Sequence, residues 1–131
     1  MSGAGQLAPD CAVIEALARA ALARLPDPFA AHLSGVILIV ADFADADILD
    51  EMGIEDAFEL SGLYSGRPVG EAAQTGDLPP TIHLFRRPIL DEWAAGEDTL
   101  EHLVAHILIH EVGHHFGLSD ADMHALEEAV A

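Results

Sequence analysis

The segment Leu100 to Phe116, LEHLVAHILIHEVGHHF, limits the possible folds of this chain more than any other. Its apolar residues Leu100, Leu103, Val104, Ile107, Leu108, Ile109 and Val112 occupy more than one side of a 3.6-residue repeat. A helix that is apolar around much of its girth would leave too much hydrocarbon in water at a surface. It must be central and buried, with other elements packed against it. The pattern predicts this helix from about Thr99 to Phe116. Asp98 and Glu101 form a capping-box-like D-x-x-E pair at its start. Gly117 ends it as the residue that leaves the helix.

The rest of the chain supplies short elements to surround such a helix. Residues 1–8 read as a flexible tail and 9–131 as a single domain. A helix is predicted from about Asp10 to Leu25, where Val13, Ile14, Leu17, Ala18, Ala21, Leu22 and Leu25 keep an i, i+3, i+4 stripe. Asp10 is its N-cap and Pro26 stops it. Pro28 opens a second short helix through Leu33, ended by Gly35. Gly35 to Phe43, GVILIVADF, is a β-branched run that predicts a buried strand. Ala44 to Glu59 is acidic with scattered apolar residues, which predicts one or two short surface helices. Ser61 to Pro80, rich in glycine and proline, predicts mostly loop, with room for a short strand at Leu63-Tyr64. Thr81 to Phe85, TIHLF, reads as a strand that Arg86-Arg87-Pro88 ends, with a short helix from Pro88 through Ala94. A last helix is expected from about Asp120 to Val130.

Composition removes some classes of function. With 51% hydrophobic residues in 131, the chain can build one core. No window approaches the roughly 18 consecutive apolar residues of a membrane span. Met1 to Gln6 offers neither a basic residue nor an apolar run, so no signal peptide is expected and the default compartment is the cytoplasm. Against 23 acidic residues stand 5 basic ones, a net charge of −18. Such a charge repels phosphate backbones and anionic lipid, which argues against nucleic acid and membranes as partners. Solubility explains most of it; a preference for basic substrates would fit too. Cys11, the single cysteine, has no intramolecular disulfide partner and reads as a half-buried structural thiol.

Chemistry concentrates in His110-Glu111-Val112-Gly113-His114-His115-Phe116-Gly117-Leu118-Ser119-Asp120, an HExxH run extended to HExxHxxGxxD. His110 and His114 are four apart on a helix, so both rings leave one face and can hold one zinc ion. Glu111 lies about 100° round the helix, beside the metal without ligating it. The bend at Gly117 can return Asp120 toward the same ion as a third, oxygen ligand. Three protein ligands leave a position for water, the mark of a catalytic site. Zinc would acidify that water and Glu111 would take its proton as general base, for attack on a peptide carbonyl. Asp120 also has a plainer role, because an acid at the start of a helix favours the helix dipole. His124, Glu127 and Glu128 are alternative third ligands.

His102, His106, His110 and His114 form an i, i+4 ladder, whose outer members are expected to be surface or outer-shell residues rather than a second metal site. His115 points away from His114 and reads as a packing or surface residue.

These residues resemble those of small bacterial zincin-like metallopeptidases, zinc proteases with a minimal metalloprotease-like domain. The likeness is carried by HEVGHHFGLSD, supported by the opening helix ending in Leu25-Pro26, by GVILIVADF, by Gly62-Leu63-Tyr64-Ser65-Gly66 and by TIHLFRRPI. The resemblance implies an α+β fold, a small mixed β-sheet packed on the central HExxH helix with flanking helices. It implies a zinc peptidase acting on a peptide or protein substrate through one zinc ion. The motif is also similar to the metzincin signature, with Asp120 where most metzincins carry a third histidine. Metzincins place a Met-turn well downstream; Met123 lies close to the motif, so a reduced substrate groove is expected. By the same resemblance, Thr81 to Phe85 is the expected substrate-pairing strand. Tyr64 is either an oxyanion donor or a packed aromatic that anchors its loop. Arg86 and Arg87 are expected to be solvated or acid-paired rather than substrate-binding. The competing readings are a non-catalytic zinc-binding partner or regulatory module and a metal-free structural protein.

Overall fold

A computed structural model describes residues 6–27, 29–66 and 79–130. Helix α1 (Cys11–Ala23) begins where Asp10 accepts a hydrogen bond from the Val13 backbone N–H at 3.0 Å. It buries Ile14, Ala18 and Ala21, one face of the predicted stripe. A one-turn α2 (Phe29–His32) follows; Pro28, its expected first residue, lies outside the described residues. Then come β1 (Ile37–Ala41), α3 (Ala46–Met52), a 3-10 turn (Ala57–Glu59) and β2 (Gly62–Ser65). Next are β3 (Thr81–Phe85), α4 (Arg86–Ala95), α5 (Leu100–Phe116) and α6 (Asp120–Val130). Of the segment expected to be loop, residues 67–78 lie outside the described residues, as do residues 1–5 of the expected tail.

The fold is α+β, with a three-stranded mixed sheet ordered β1-β3-β2. β1 runs parallel to β3 and β2 antiparallel to it. This arrangement corrects two expectations. β3 is central, with Leu84 paired to Val40 on one side and to Gly62 on the other, so it has no edge to offer a substrate strand. β1, expected to be buried, is an edge strand with Ile37 and Ile39 more than two-fifths exposed and only Leu38 in the core. A run apolar on both faces fills a strand covered on both; here the helices cover the Leu38 face, and the residues alternate accordingly.

As predicted, α5 is the central helix, packed on α1, α4, α6, β2 and β3. Val104, Leu108, Ile109 and Val112 are fully buried with Ile14, Ile82, Leu84 and Ile89. Each such side chain contributes about 1.5–3 kcal/mol of burial. Its start departs from expectation: Thr99, not Asp98, caps it, accepting from the His102 N–H at 3.1 Å. Asp98 instead pairs with the His102 ring at 3.3 Å. Gly117 adopts φ 66°, and the Leu118 N–H returns to the Gly113 carbonyl at 2.9 Å, the paired closure of a Schellman end.

That turn sends α6 back along α5, and Gly113 lets it approach. A Cβ at Gly113 would lie 2.1 Å from Met123 Sδ. Gly62 plays the same part on the other side, where a Cβ would meet Ile107 Cγ2 at 2.9 Å and Glu111 Cγ at 3.4 Å. Helix α4 starts two residues before the predicted Pro88, which sits in its first turn, where its missing N–H has no intrahelical partner to lose. Arg86 is structural: Nε donates to the Pro9 carbonyl at 2.6 Å and Nη1 to Asp42 Oδ1 at 3.2 Å. Cys11 is half-buried, its thiol 3.7 Å from Asp42 Oδ1; burial and that carboxylate push its pKa up, so it is a poor nucleophile. No helix among the described residues is long and apolar enough to cross a membrane.

Candidate metal centre

Because α5 turns 100° per residue, His106, His110 and His114 share one side while Glu111 and His115 turn toward β2. Glu111 is only 7% exposed. Buried charge is costly unless hydrogen-bonded, and two groups meet it. The Tyr64 backbone N–H from β2 bonds its carboxylate, and His114 Nδ1 lies 3.2 Å from Oε1. Burial pushes the Glu111 carboxyl above its ordinary value; His114, the Tyr64 N–H and His110 pull part of that back. A carboxylate raised in this way is a stronger base and, once protonated, can return the proton.

A cleft of about 280 Å³ opens onto this carboxylate. Leu60 to Gly62 form one wall, and Ile107, His110 and Glu111 the floor. Glu59 and Glu92 bring further negative charge to its lining.

The three expected metal ligands occupy different settings. His110 is partly buried on the floor of the cleft. His114 has a side chain 59% exposed and turned to Glu111. Asp120 is the first residue of α6 and is exposed. Ser119 makes the cap at that helix, its Oγ accepting from the Asp122 N–H at 3.2 Å, and Asp120 lies in the first turn, where its charge favours the helix dipole. Among the described residues, the ligating atoms gathered within 4.8 Å of one another are those of His106, His110 and Glu127; His114 and Asp120 are not in that group. The donor set of two imidazoles and a carboxylate on the exposed end of α5 and the start of α6 still fits zinc chemically, because all three side chains are accessible and of the types zinc takes.

Several contributors escaped the sequence reading. Glu127 stood among the alternative ligands, yet nothing in the sequence tied it to His106, whose Nδ1 it contacts. Gly62 carried only the weak signal of a glycine in a strand, which often marks close backbone approach. A backbone donor such as the Tyr64 N–H has no sequence signature. The Tyr64 hydroxyl and His115 Nδ1 lie 3.0 Å apart, a contact that favours the packed anchor of the two expected roles. His115 is 5% exposed and packs edge-on against Phe116. Burial lowers its pKa, with the His32 backbone opposing, although Nε2 finds no partner in hydrogen-bonding geometry among the described residues.

A family model described as zincin-like metallopeptidase matches residues 33–130, which span β1 through α6 and include the whole centre. No curated protein matches the chain.

Proposed function

The chain belongs to the zincin-like metallopeptidases, and from that premise we propose that it hydrolyses peptide bonds with one zinc ion held by His110, His114 and Asp120 and with Glu111 as general base. The observation that carries this reading is Glu111 itself: a carboxylate buried under β2, gripped by a backbone N–H, beside two histidines one helical turn apart and at the floor of a cleft. Structural charges on helix surfaces are rarely buried in this way.

Bound zinc supplies a Lewis acid that polarises the scissile carbonyl and makes water easier to deprotonate. The chain's own groups do the rest. Glu111 accepts a proton from the attacking water at its carboxylate and delivers it to the leaving amine nitrogen. The Tyr64 N–H fixes the carboxylate so that no reorganisation is needed when the proton moves. Among the described residues β2 is the edge strand that packs on α5, so β2, rather than the central β3, is the strand to pair with an extended peptide. Glu59 and Glu92 favour a basic side chain in the cleft.

The test is hydrolysis of a peptide library by zinc-loaded protein beside Glu111→Ala. The wild type should cleave, the variant should bind zinc without cleaving, and basic residues should be enriched near the cut. Equal residual turnover in the two would remove the catalytic assignment. Metal uptake without turnover in either would favour the non-catalytic zinc-binding module.

A further inference from the structure

Between α5 and α6, sharing His110 with the proposed catalytic set, lies a group of ligating atoms. The His106 and His110 rings are neighbours, with centroids 4.6 Å apart. Glu127 reaches across from α6 to His106 Nδ1. One ligand atom from each of the three lies within 4.8 Å of the others. The Glu127 side chain is only 15% exposed, whereas Glu128 beside it is 73% exposed and pairs with His124. The groove there, about 260 Å³, also admits His102 and His124 to its wall. Three further properties suit a cation. The ligands come from two helices held in register by the Gly113–Met123 contact. The site opens to solvent, and the chain around it carries a charge of −18.

We propose that His106, His110 and Glu127 form a second site for a borderline divalent metal such as zinc, overlapping the catalytic set through His110. Two imidazoles and a carboxylate are zinc's usual oxygen and nitrogen donors. A neutral imidazole gives one nitrogen lone pair to a metal, so His110 serves one ion at a time. Metal in the second site therefore draws His110 from the pairing with His114 and Asp120, and occupation of the two sites is mutually exclusive. The overlap rests on the proposed catalytic ligands; the second site itself does not.

Zinc titration of metal-free protein against a chromophoric chelator, with circular dichroism to verify folding, separates the two. His114→Ala/Asp120→Ala dismantles the catalytic set and should still bind one equivalent of zinc. Adding His106→Asn and Glu127→Gln to that background should weaken binding by more than ~100-fold, beyond what loss of outer-shell partners causes. A folded His114→Ala/Asp120→Ala protein that takes up no zinc would overturn the proposal. So would zinc affinity that the two added substitutions leave unchanged, in which case the His106–Glu127 contact is only an ion pair. If His106→Asn/Glu127→Gln alone abolishes binding while His114→Ala/Asp120→Ala retains it, the second site stands and the catalytic ligand assignment fails.

Discussion

The two sides of α5 place similar side chains under opposite conditions. Toward β2, Glu111 and His115 are buried one helical turn apart, and Tyr64 meets both, the first through its backbone N–H and the second through its hydroxyl. Toward solvent and α6, His102, His106 and His114 are exposed, and each is partnered by an acid: Asp98, Glu127 and Glu111. The buried side is fixed before anything binds; the exposed side can exchange partners. That division suits the chemistry. A proton-transferring group loses rate when it is misplaced by a fraction of an ångström, whereas ligand side chains can be gathered by the ion they bind.

The largest effect that could break this comparison is on turnover. Glu111→Gln keeps the shape and the Tyr64 contact but removes the proposed base, so kcat should fall by ~10²–10⁴-fold with zinc affinity nearly unchanged. His114→Ala should do the reverse at subsaturating metal, weakening zinc at the proposed catalytic set first while the equivalent held by His106, His110 and Glu127 remains. Chelator competition beside kcat measurements decides. If Glu111→Gln lost zinc as readily as His114→Ala, the two sides would not be functionally separate.

Gly62→Ala comes next. The added methyl would press on Ile107 Cγ2 and Glu111 Cγ and lift β2 from α5. Overpacking of this sort costs about 1–3 kcal/mol, measurable by urea unfolding, and kcat should drop further than stability alone explains as the Tyr64 N–H leaves the carboxylate. Unchanged stability with unchanged kcat would mean that the close approach of β2 is incidental. Tyr64→Phe is gentler: it leaves that N–H in place and strips His115 Nδ1 of its partner, at a cost of about 1–3 kcal/mol. Turnover should stay within ~10-fold, since losing an oxyanion donor costs ~10²–10³-fold. A loss in that upper range would return the tyrosine hydroxyl to the reacting centre.

The same division explains what the sequence could reveal. Helix α5, its exit at Gly117, the Asp10 cap and the HExxH spacing are local, set by periodicity and turn chemistry within a few residues, and each is where the pattern put it. The sheet order is not local. Thr81 to Phe85 looks like an edge or a centre equally well until Gly62–Ser65 is known to pair on its far side. The contact of Glu127 with His106 depends on how deeply α6 settles on Gly113, a packing distance that no one-dimensional pattern carries. The cap at Thr99 rather than Asp98 turned on a competition, because His102 offers Asp98 a side-chain partner.

The smallest expected effect asks whether burial against the sheet governs imidazoles generally. His83 stands on β3 between Ile39 and Leu63, stacked on Phe85 at 6.0 Å. Burial lowers its pKa below the ordinary histidine value, and Asp45 opposes only part of that. The unfolded chain therefore takes up a proton near pH ~6.5, while the folded chain does so only at lower pH. Between those two points the unfolded state binds more protons, and stability falls as the pH falls; above them both states are neutral and His83 contributes no slope. The melting temperature of chelator-treated wild type should thus drop more from about pH 7.5 to about pH 5.5 than that of His83→Gln. The variant keeps part of the slope, because His115, buried under the same sheet, has a shift of the same sign. Parallel curves for the two proteins would mean that the outer face of β3 stays wet enough to charge its histidine at no cost, and that depressed imidazoles belong to the α5 interface alone.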